Sequence, residues 1–202
     1  LGLPDCISEI SPGIMITVFN YRINQLLGTD GLVTFTVLMY IYNLVLMVMV
    51  GTSQGTQPLV SYYYGRKDKK AVSTLHKYAR ILVSCAGVLL FLVVEIFAPA
   101  ITSAFIPKDT ANYFSTITAL RQFSFVFLIM GHVVITSGYM VALEEPRKAF
   151  VLSISRGILL VLLSLFICTT LFKENGIWIS CTISEIFCLG IALYDLKTQR
   201  KI

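Results

Sequence analysis

Hydrophobic residues fill six long segments of this chain, and short polar joints separate the segments. The joints contain Gly, Pro, Asp or Asn, which are typical of turns and helix caps, and they read GTDG, GRKDKK, IPKDTAN, EEPRK and KENG. Each segment is long enough, at about 20 residues, to cross a bilayer. The pattern therefore predicts six membrane-spanning helices, at residues 3–27, 32–64, 78–105, 113–143, 149–172 and 177–196.

Composition supports the membrane interpretation. Hydrophobic residues make up 56% of the chain, charged residues only 13%, and the mean hydropathy is +0.79. A soluble domain carries about 25% charged residues. Within lipid, only helices and closed barrels satisfy every backbone hydrogen bond, and these segments are much longer than barrel strands of about 10 residues. We therefore predict an all-α polytopic membrane protein, a single six-helix bundle over residues 1–202.

The second segment is too long for a straight crossing. Its 33 residues would extend about 50 Å as a helix, well beyond the hydrocarbon core. It must tilt, bend or project into the cytoplasm, and Gly55 and Pro58 are the expected positions of a bend.

The positive charges are placed asymmetrically. The net charge is +5, but the charges lie in short joints and form no basic face, which argues against a nucleic-acid partner. If the helices alternate in direction, only Lys108 and Lys173 fall on one side. Twelve basic residues fall on the other: Arg66, Lys67, Lys69, Lys70, Lys77, Arg80, Arg147, Lys148, Arg156, Lys197, Arg200 and Lys201. The positive-inside rule then places the C-terminus and the 65–70 loop in the cytoplasm.

Polar residues form a stripe on three of the predicted helices. The stripes contain Glu9, Gly13, Asn20 and Asn24 in the first segment, Asn43, Gln54, Gln57 and Ser61 in the second, and Arg121, Phe125, His132, Thr136 and Tyr139 in the fourth. Such residues either hold helices together by hydrogen bonds or face a hydrated cleft. Three stripes in one bundle favour the cleft.

The candidates for contact with a substrate or ion come from these stripes. Glu9 and His132 are the two that could exchange a proton near neutral pH. Glu185, in the sixth segment beside Ser184 and Cys188, is a secondary candidate outside the stripes. The full set of pathway candidates is Glu9, Asn20, Asn24, Asn43, Gln54, Gln57, Phe125, His132, Thr136 and Tyr139.

Catalytic motifs are not recognisable in the sequence. It has no Gly-rich phosphate loop, no HExxH or paired-cysteine metal site, and no nucleophile at a recognisable spacing from a base. The five cysteines lie in apolar runs and are interpreted as small buried hydrophobes. We predict that the protein is not an enzyme and holds no metal or cofactor, so uphill transport would draw on an ion gradient.

The run GTSQGTQPLVSYYYGRKDKK at residues 51–70 resembles a signature of the multidrug and toxic compound extrusion (MATE) family, in which a membrane helix ends in this pattern before a basic loop. The opening LGLPDCISEISPGIMITVFN is similar to the first helix of that family's C-terminal lobe. SGYMVALEEPRKA is similar to the end of its fourth helix and the loop that follows. The resemblance extends over the whole chain in order and spacing.

This resemblance implies one six-helix lobe of a twelve-helix transporter, with the N-terminal lobe absent, in the plasma membrane. The implied function is export of drugs or amphipathic organic compounds by alternating access, in antiport with H⁺ or Na⁺ that is transported and not bound as a cofactor. The implied partners are the bilayer, the missing lobe and a small organic substrate. Family members with a cation site in this lobe use an acidic residue in the first helix and another in the fourth. Glu9 roughly matches the first, whereas the fourth segment offers only His132, so proton coupling is at least as consistent as a two-carboxylate sodium site.

Other functions stay open at this stage. A flippase for lipid-linked saccharides has a similar bundle, but it would need several cationic side chains in its cleft, and only Arg22 and Arg121 are available. A scaffold subunit would have little need for three polar stripes, and a membrane enzyme would need a catalytic pair that is not recognisable here.

Overall fold

The computed structural model describes residues 2–199, and this part of the chain is helical almost throughout, without strands. Its α-helices are Gly2–Gly65, Lys69–Phe105, Tyr113–Ser124, Phe127–Ala142, Pro146–Ile154 and Leu160–Gln199, and a π-helical turn occupies Ser155–Leu159. The prediction of an all-α fold is confirmed.

Two of these long helices each contain a reversal of the chain. Gly28 has non-helical backbone angles (φ 64°, ψ −152°), which suit glycine because it has no Cβ. The rings of Phe19 and Phe35 stack with centroids 5.4 Å apart. Sixteen residues of straight helix would separate them by about 24 Å. The chain therefore turns back at Gly28, where the sequence predicted the first joint.

The second reversal lies at Lys173, which has a φ of 51° and a ψ of −122°. A Cβ built on Gly176 would lie 2.0 Å from the carbonyl oxygen of Cys168, so the helical segments before and after Lys173 are in direct backbone contact here. Glycine is needed here because any side chain would collide with backbone.

These reversals give six passes. Three helices are long and apolar enough to cross a membrane, and the bent pair Tyr113–Ser124 and Phe127–Ala142 forms a fourth such segment. Two of the three long helices turn back, at Gly28 and Lys173, and so contribute two passes each. We call the passes spans one to six: residues 2–27, 29–65, 69–105, 113–142, 146–172 and 174–199. The predicted six-helix membrane bundle is confirmed.

Spans two and four run parallel and stay in one register. The hydroxyls of Thr34 and Thr116 lie 2.8 Å apart near one end. Ser53 Oγ donates to Val134 O at 3.4 Å, and Ser61 Oγ donates to Ala142 O at 3.2 Å. The partners are 82, 81 and 81 residues apart, so the offset is almost constant along the pair.

The bundle surface is apolar where lipid would contact it. Large hydrophobic side chains remain exposed on several spans, including Phe166 at 66% and Phe187 at 60%. The interior contains Phe19, Phe123 and Phe127, all at least 98% buried. In water this distribution would be unfavourable, whereas lipid solvates the outer side chains.

The expected bend in span two does not involve a break. Backbone angles stay helical through Gly55 and Pro58, and the only non-helical residue within Gly2–Gly65 is Gly28. The helix is unbroken here, so the length of span two is taken up by tilt, by curvature within the helix or by projection beyond the hydrocarbon region.

Span four, predicted as one helix, is bent instead. Its two halves meet at 43° around residues 125–126. Ser124 Oγ lies 2.7 Å from Arg121 O and 2.9 Å from Glu95 Oε1, so its one proton can be donated to either acceptor. The next amides bond three residues back, as from Leu128 N to Phe125 O. Serine side chains that bond the backbone compete with the regular helix and often bend it. No Pro or Gly marks this site in the sequence.

Span five contains the other irregularity. In the π-turn Ser155–Leu159, the amide of Leu160 bonds the carbonyl of Ser155, five residues back. The extra residue widens the helix locally, and such turns often occur at functional sites.

Candidate functional site

The bundle contains a partly open cavity of about 140 Å³, and residues from five of the six spans line it. Its walls are mostly apolar, with Met15, Met39, Leu46, Phe123 and Val161 among them. The bend of span four and the π-turn of span five both border this space, since Phe123, Val126 and Gly157 line it. The two helix irregularities therefore shape the same cavity.

A buried ion pair lies in the cavity wall. Arg156 Nε donates to Glu185 Oε1 at 2.8 Å, from the π-turn of span five to the middle of span six. The side chain of Glu185 is 7% exposed and that of Arg156 is 23% exposed. Tyr42 of span two lies within electrostatic reach of both groups. A charge in the membrane interior is unfavourable unless it is paired, and here the basic and the acidic side chain are in direct contact.

The pair forms only one of the two hydrogen bonds that a guanidinium and a carboxylate can share. Nη2 of Arg156 and Oε2 of Glu185 are both buried, and neither has a hydrogen-bond partner. A guanidinium and a carboxylate often form two parallel N–H···O bonds, and here only the one from Nε is present. One donor and one acceptor therefore lack a protein partner, and both are buried behind the cavity surface with almost no accessible area.

Arg156 does not belong with the basic residues that mark the cytoplasmic side, contrary to the prediction from its sequence position. The structure buries it in the bundle against Glu185. The charge asymmetry survives this correction, because eleven basic residues still oppose two. Glu185, a secondary candidate, proves to be the acidic member of the pair.

Three of the ten pathway candidates lie at cavities. Asn43 lines the main cavity, where its Nδ2 donates to Met39 O at 2.8 Å. Gln57 and Tyr139 line a second, much smaller cavity of about 10 Å³, where the Tyr139 ring packs 4.1 Å from that of His76.

The remaining candidates are distributed elsewhere. Asn20, Asn24 and Gln54 are exposed on the bundle surface. Phe125 is 49% exposed and packs on Phe91, with ring centroids 5.1 Å apart.

The fourth-span candidates His132 and Thr136 belong to helix contacts. His132 Nε2 lies 3.2 Å from Ser84 Oγ on span three, and the buried Thr136 hydroxyl donates to His132 O at 2.8 Å. The side chain of Glu9 lies outside the described residues. Among the candidates that are described, the three stripes do not meet at one hollow, and their role in transport stays a prediction.

Sequence reasoning missed Arg156 and Tyr42 as site residues. The available signal was charge complementarity, because an arginine and a glutamate lie well inside two consecutive apolar segments. An intramembrane charge is a functional candidate by default. Arg156 was assigned to the loop because it follows Arg147 and Lys148 closely in sequence, and the π-turn that positions it leaves no sequence signature.

Comparison with known proteins gives three results. The MatE family model matches residues 4–167. No curated protein matches the chain. Solved structures match its fold over nearly its whole length.

Three of these structures illustrate the likeness, each 20% identical to the chain. A crystal structure of MATE in complex with MaL6 has a TM-score of 0.91, and the match covers 100% of this chain and 47% of that one. An outward-facing multidrug resistance MATE family transporter of the MOP superfamily has a TM-score of 0.90, with 100% and 46% covered. A MOP superfamily transporter from Pyrococcus furiosus, titled for the reverse polarity of its binding pocket, has a TM-score of 0.91, with 98% and 45% covered. The chain thus spans less than half the length of the structures it matches.

Proposed function

This chain belongs to the MatE family, and from that premise we propose that it forms one half of a transporter that exports amphipathic organic compounds in antiport with H⁺ or Na⁺. Its fold is that of a membrane transporter. The finer proposal concerns the direction of transport, the substrate class and the coupling to a cation.

The observation that supports transport best is the cavity with its ion pair. A purely structural bundle has no need for a 140 Å³ space in its apolar interior, nor for a buried arginine and glutamate beside it. Apolar walls with a few polar groups are typical of sites for small organic molecules. This arrangement therefore favours a substrate pathway over a scaffold.

The other half of the transporter would come from a second six-helix lobe. The chain covers 44–47% of the solved structures that it matches, which agrees with a lobe. In transporters built from parallel repeats, substrate and ion sites lie at the interface of the repeats near the bilayer midplane. We therefore place the exposed stripe residues Asn20, Asn24 and Gln54 at the interface with that lobe.

A flippase for lipid-linked saccharides is less well supported. Such a protein would need free cationic side chains around an anionic headgroup. Arg121 lies 3.7 Å from Glu95, whereas Arg22 contacts the neutral Thr169 Oγ1 at 3.4 Å and keeps its charge. One such cation falls short of the several that this function needs. Arg156 is paired with Glu185.

The test is efflux of an amphipathic fluorescent dye from vesicles that contain the full-length transporter, under an imposed pH or Na⁺ gradient. We expect efflux that stops when the coupling gradient is dissipated. Efflux that is independent of both gradients would contradict cation coupling. A lack of efflux under every condition would contradict export of amphipathic organic compounds.

The carboxylate of Glu9 is tested in the same assay. Glu9→Gln should abolish gradient-driven efflux while expression stays intact, if this group carries the coupling ion. Glu174→Gln is the matched control, because Glu174 is exposed at the joint between spans five and six. Unchanged efflux in Glu9→Gln would remove Glu9 from the mechanism.

A further inference from the structure

Span three holds both halves of the bent span four along a single face. The residues of this face are four apart, and each contacts span four: Gly87, Phe91, Glu95 and Pro99. Residues at this spacing lie on one side of a helix. The contacts begin at Tyr113, whose hydroxyl donates to Pro99 O at 3.0 Å. They end beyond the bend, where Gly87 meets the backbone of Phe127.

Glu95 is the charged residue of this face, and it meets span four just before the bend. Its Oε1 lies 2.9 Å from Ser124 Oγ, and its Oε2 lies 3.7 Å from Arg121 Nε. Of the two acceptors within reach of the fully buried Ser124 hydroxyl, the carboxylate makes the stronger hydrogen bond because it carries charge. The ion pair contributes less, since Arg121 is half-exposed. The hydrogen bond to Ser124 is therefore the main polar contact that holds the bend.

The opposite side of the bend faces the cavity. Phe123 and Val126, on either side of Ser124 in sequence, both line the cavity. Span three is the one span that contributes none of the described residues that line it, so span three packs behind span four. A residue of span three can therefore act on the cavity only through span four.

The close contact at Gly87 limits the direction in which the bend can move. A Cβ on Gly87 would lie 2.6 Å from Phe127 O, so the two backbones already touch there. The bend cannot approach span three further, and loss of the hydrogen bond at Ser124 leaves movement towards the cavity. The cavity of about 140 Å³ holds about one ring, because about 150 Å³ accepts benzene. A small inward shift of this wall would exclude bulky groups.

We propose that Glu95 is a positioning residue, which holds the bend of span four against span three and so keeps the cavity wide enough for bulky substrates. Glu95 does not line the cavity, and it acts through the Ser124 hydrogen bond on the wall formed by Phe123 and Val126. The inference rests on the proposed function, because it assigns a residue that determines which substrates the transporter accepts.

A fluorine label at the cavity wall tests the position of the bend without any substrate. 4-Fluorophenylalanine replaces Phe123 alone in the full-length transporter in nanodiscs, and its ¹⁹F NMR signal is recorded. Phe123 packs edge-on against the rings of Tyr42 and Phe127, so the signal is sensitive to small displacements. Glu95→Leu fills the same space without an acceptor and should shift or split the signal.

Glu95→Gln is the matched control for this experiment. It keeps an oxygen that accepts from Ser124 and loses only the charge, so its signal should match that of the parent. An unchanged signal in Glu95→Leu, or the same altered signal in Glu95→Gln, would overturn the proposal. If Glu95→Leu does not fold, Glu95→Ala removes the same acceptor and decides the question in its place.

Substrate selectivity in the efflux assay provides the second test. Two rhodamine dyes of equal charge and different bulk are compared, tetramethylrhodamine methyl ester and its tetraethyl analogue. One methylene in a confined pocket changes specificity by about 10–200-fold, so Glu95→Leu and Ser124→Ala should raise the KM of the bulkier dye at least about tenfold relative to the smaller one. Glu95→Gln should keep the ratio of the parent. A ratio unchanged in both Glu95→Leu and Ser124→Ala would indicate a merely structural role and refute the proposal.

The two tests distinguish this inference from the proposed function. The fluorine signal needs neither substrate nor gradient, so an unchanged signal in Glu95→Leu refutes the positioning role whether or not efflux is observed. If neither dye is exported under any gradient, the antiport is refuted, and the fluorine signal alone decides the role of Glu95.

Discussion

Replacing Gly87 by alanine tests whether spans three and four pack as closely as the structure shows. A Cβ at Gly87 would lie 2.6 Å from the carbonyl oxygen of Phe127, just after the bend of span four, and the next nearest atoms are also backbone. Ordinary contact begins at 3.4 Å, so the helices would have to separate by 0.8 Å. No side chain can rotate away to relieve this collision.

The magnitude follows from comparison with a second glycine. Gly190 lies in span six with no atom within 4 Å of its built Cβ, so alanine there meets open space. Both substitutions gain about the same helix propensity, roughly 1 kcal/mol, and this term cancels between them. The difference in unfolding free energy between the two variants therefore measures overpacking at Gly87, which destabilises by about 1–3 kcal/mol.

Thermal unfolding of the full-length protein in detergent measures this difference. At about 1 °C per kcal/mol for a protein of roughly 400 residues, Gly87→Ala should unfold about 1–3 °C below Gly190→Ala. Equal melting temperatures, or a higher one for Gly87→Ala, would refute the close approach at this crossing.

Two further predictions concern the register and the orientation of the bundle. Thr116 Oγ1 donates to Asn112 O at 2.8 Å, so the hydrogen bond between Thr116 and Thr34 uses the Thr34 proton. Thr116→Val leaves this buried Thr34 donor unsatisfied and should lower the free energy of unfolding by about 1–3 kcal/mol. Thr34→Val should lower it by only about 0.6 kcal/mol, and thermal unfolding measures both. Equal losses would contradict this direction of the hydrogen bond. For orientation, a membrane-impermeant maleimide should label Asp109→Cys but not Lys70→Cys in intact cells, because the basic joint is expected on the cytoplasmic side. The parent chain gives the background labelling of the native cysteines. Labelling of Lys70→Cys alone would invert the assigned topology.

The number of spans could be read from the sequence because lipid imposes a simple constraint. Each pass needs about 20 apolar residues, and each joint needs residues that end a helix. Gly28 illustrates this, since a glycine before Asp30 marks the first joint and takes the left-handed angles found there. The second joint, at Lys173, uses a non-glycine residue with positive φ, but the polar run KENG still marks it.

The irregular turns could not be predicted because tertiary contacts decide them. Gly55 and Pro58 carry the familiar signature of a bend, yet the helix continues through both. Ser124 has no such signature, and span four bends next to it because its hydroxyl reaches Glu95 and Arg121 O. Whether a serine bonds its own helix or a neighbour depends on packing that a single sequence does not specify.

The candidate site was predictable only in part for the same reason. Asn43 was identified from a stripe at helical spacing, and it does line the main cavity. Helical periodicity places residues on one face but does not state which neighbour that face meets. Arg156 and Glu185 meet across two spans, so their pairing depends on the relative rotation of the helices, which the π-turn changes.

The constant offset between spans two and four limits how the protein can change shape. Hydroxyl contacts at Thr34, Ser53 and Ser61 lie along most of the length of the pair. Sliding by one helical turn, about 5.4 Å, would break all three at once. We therefore expect the two helices to move together, so that a conformational change of the bundle would turn this pair as one unit.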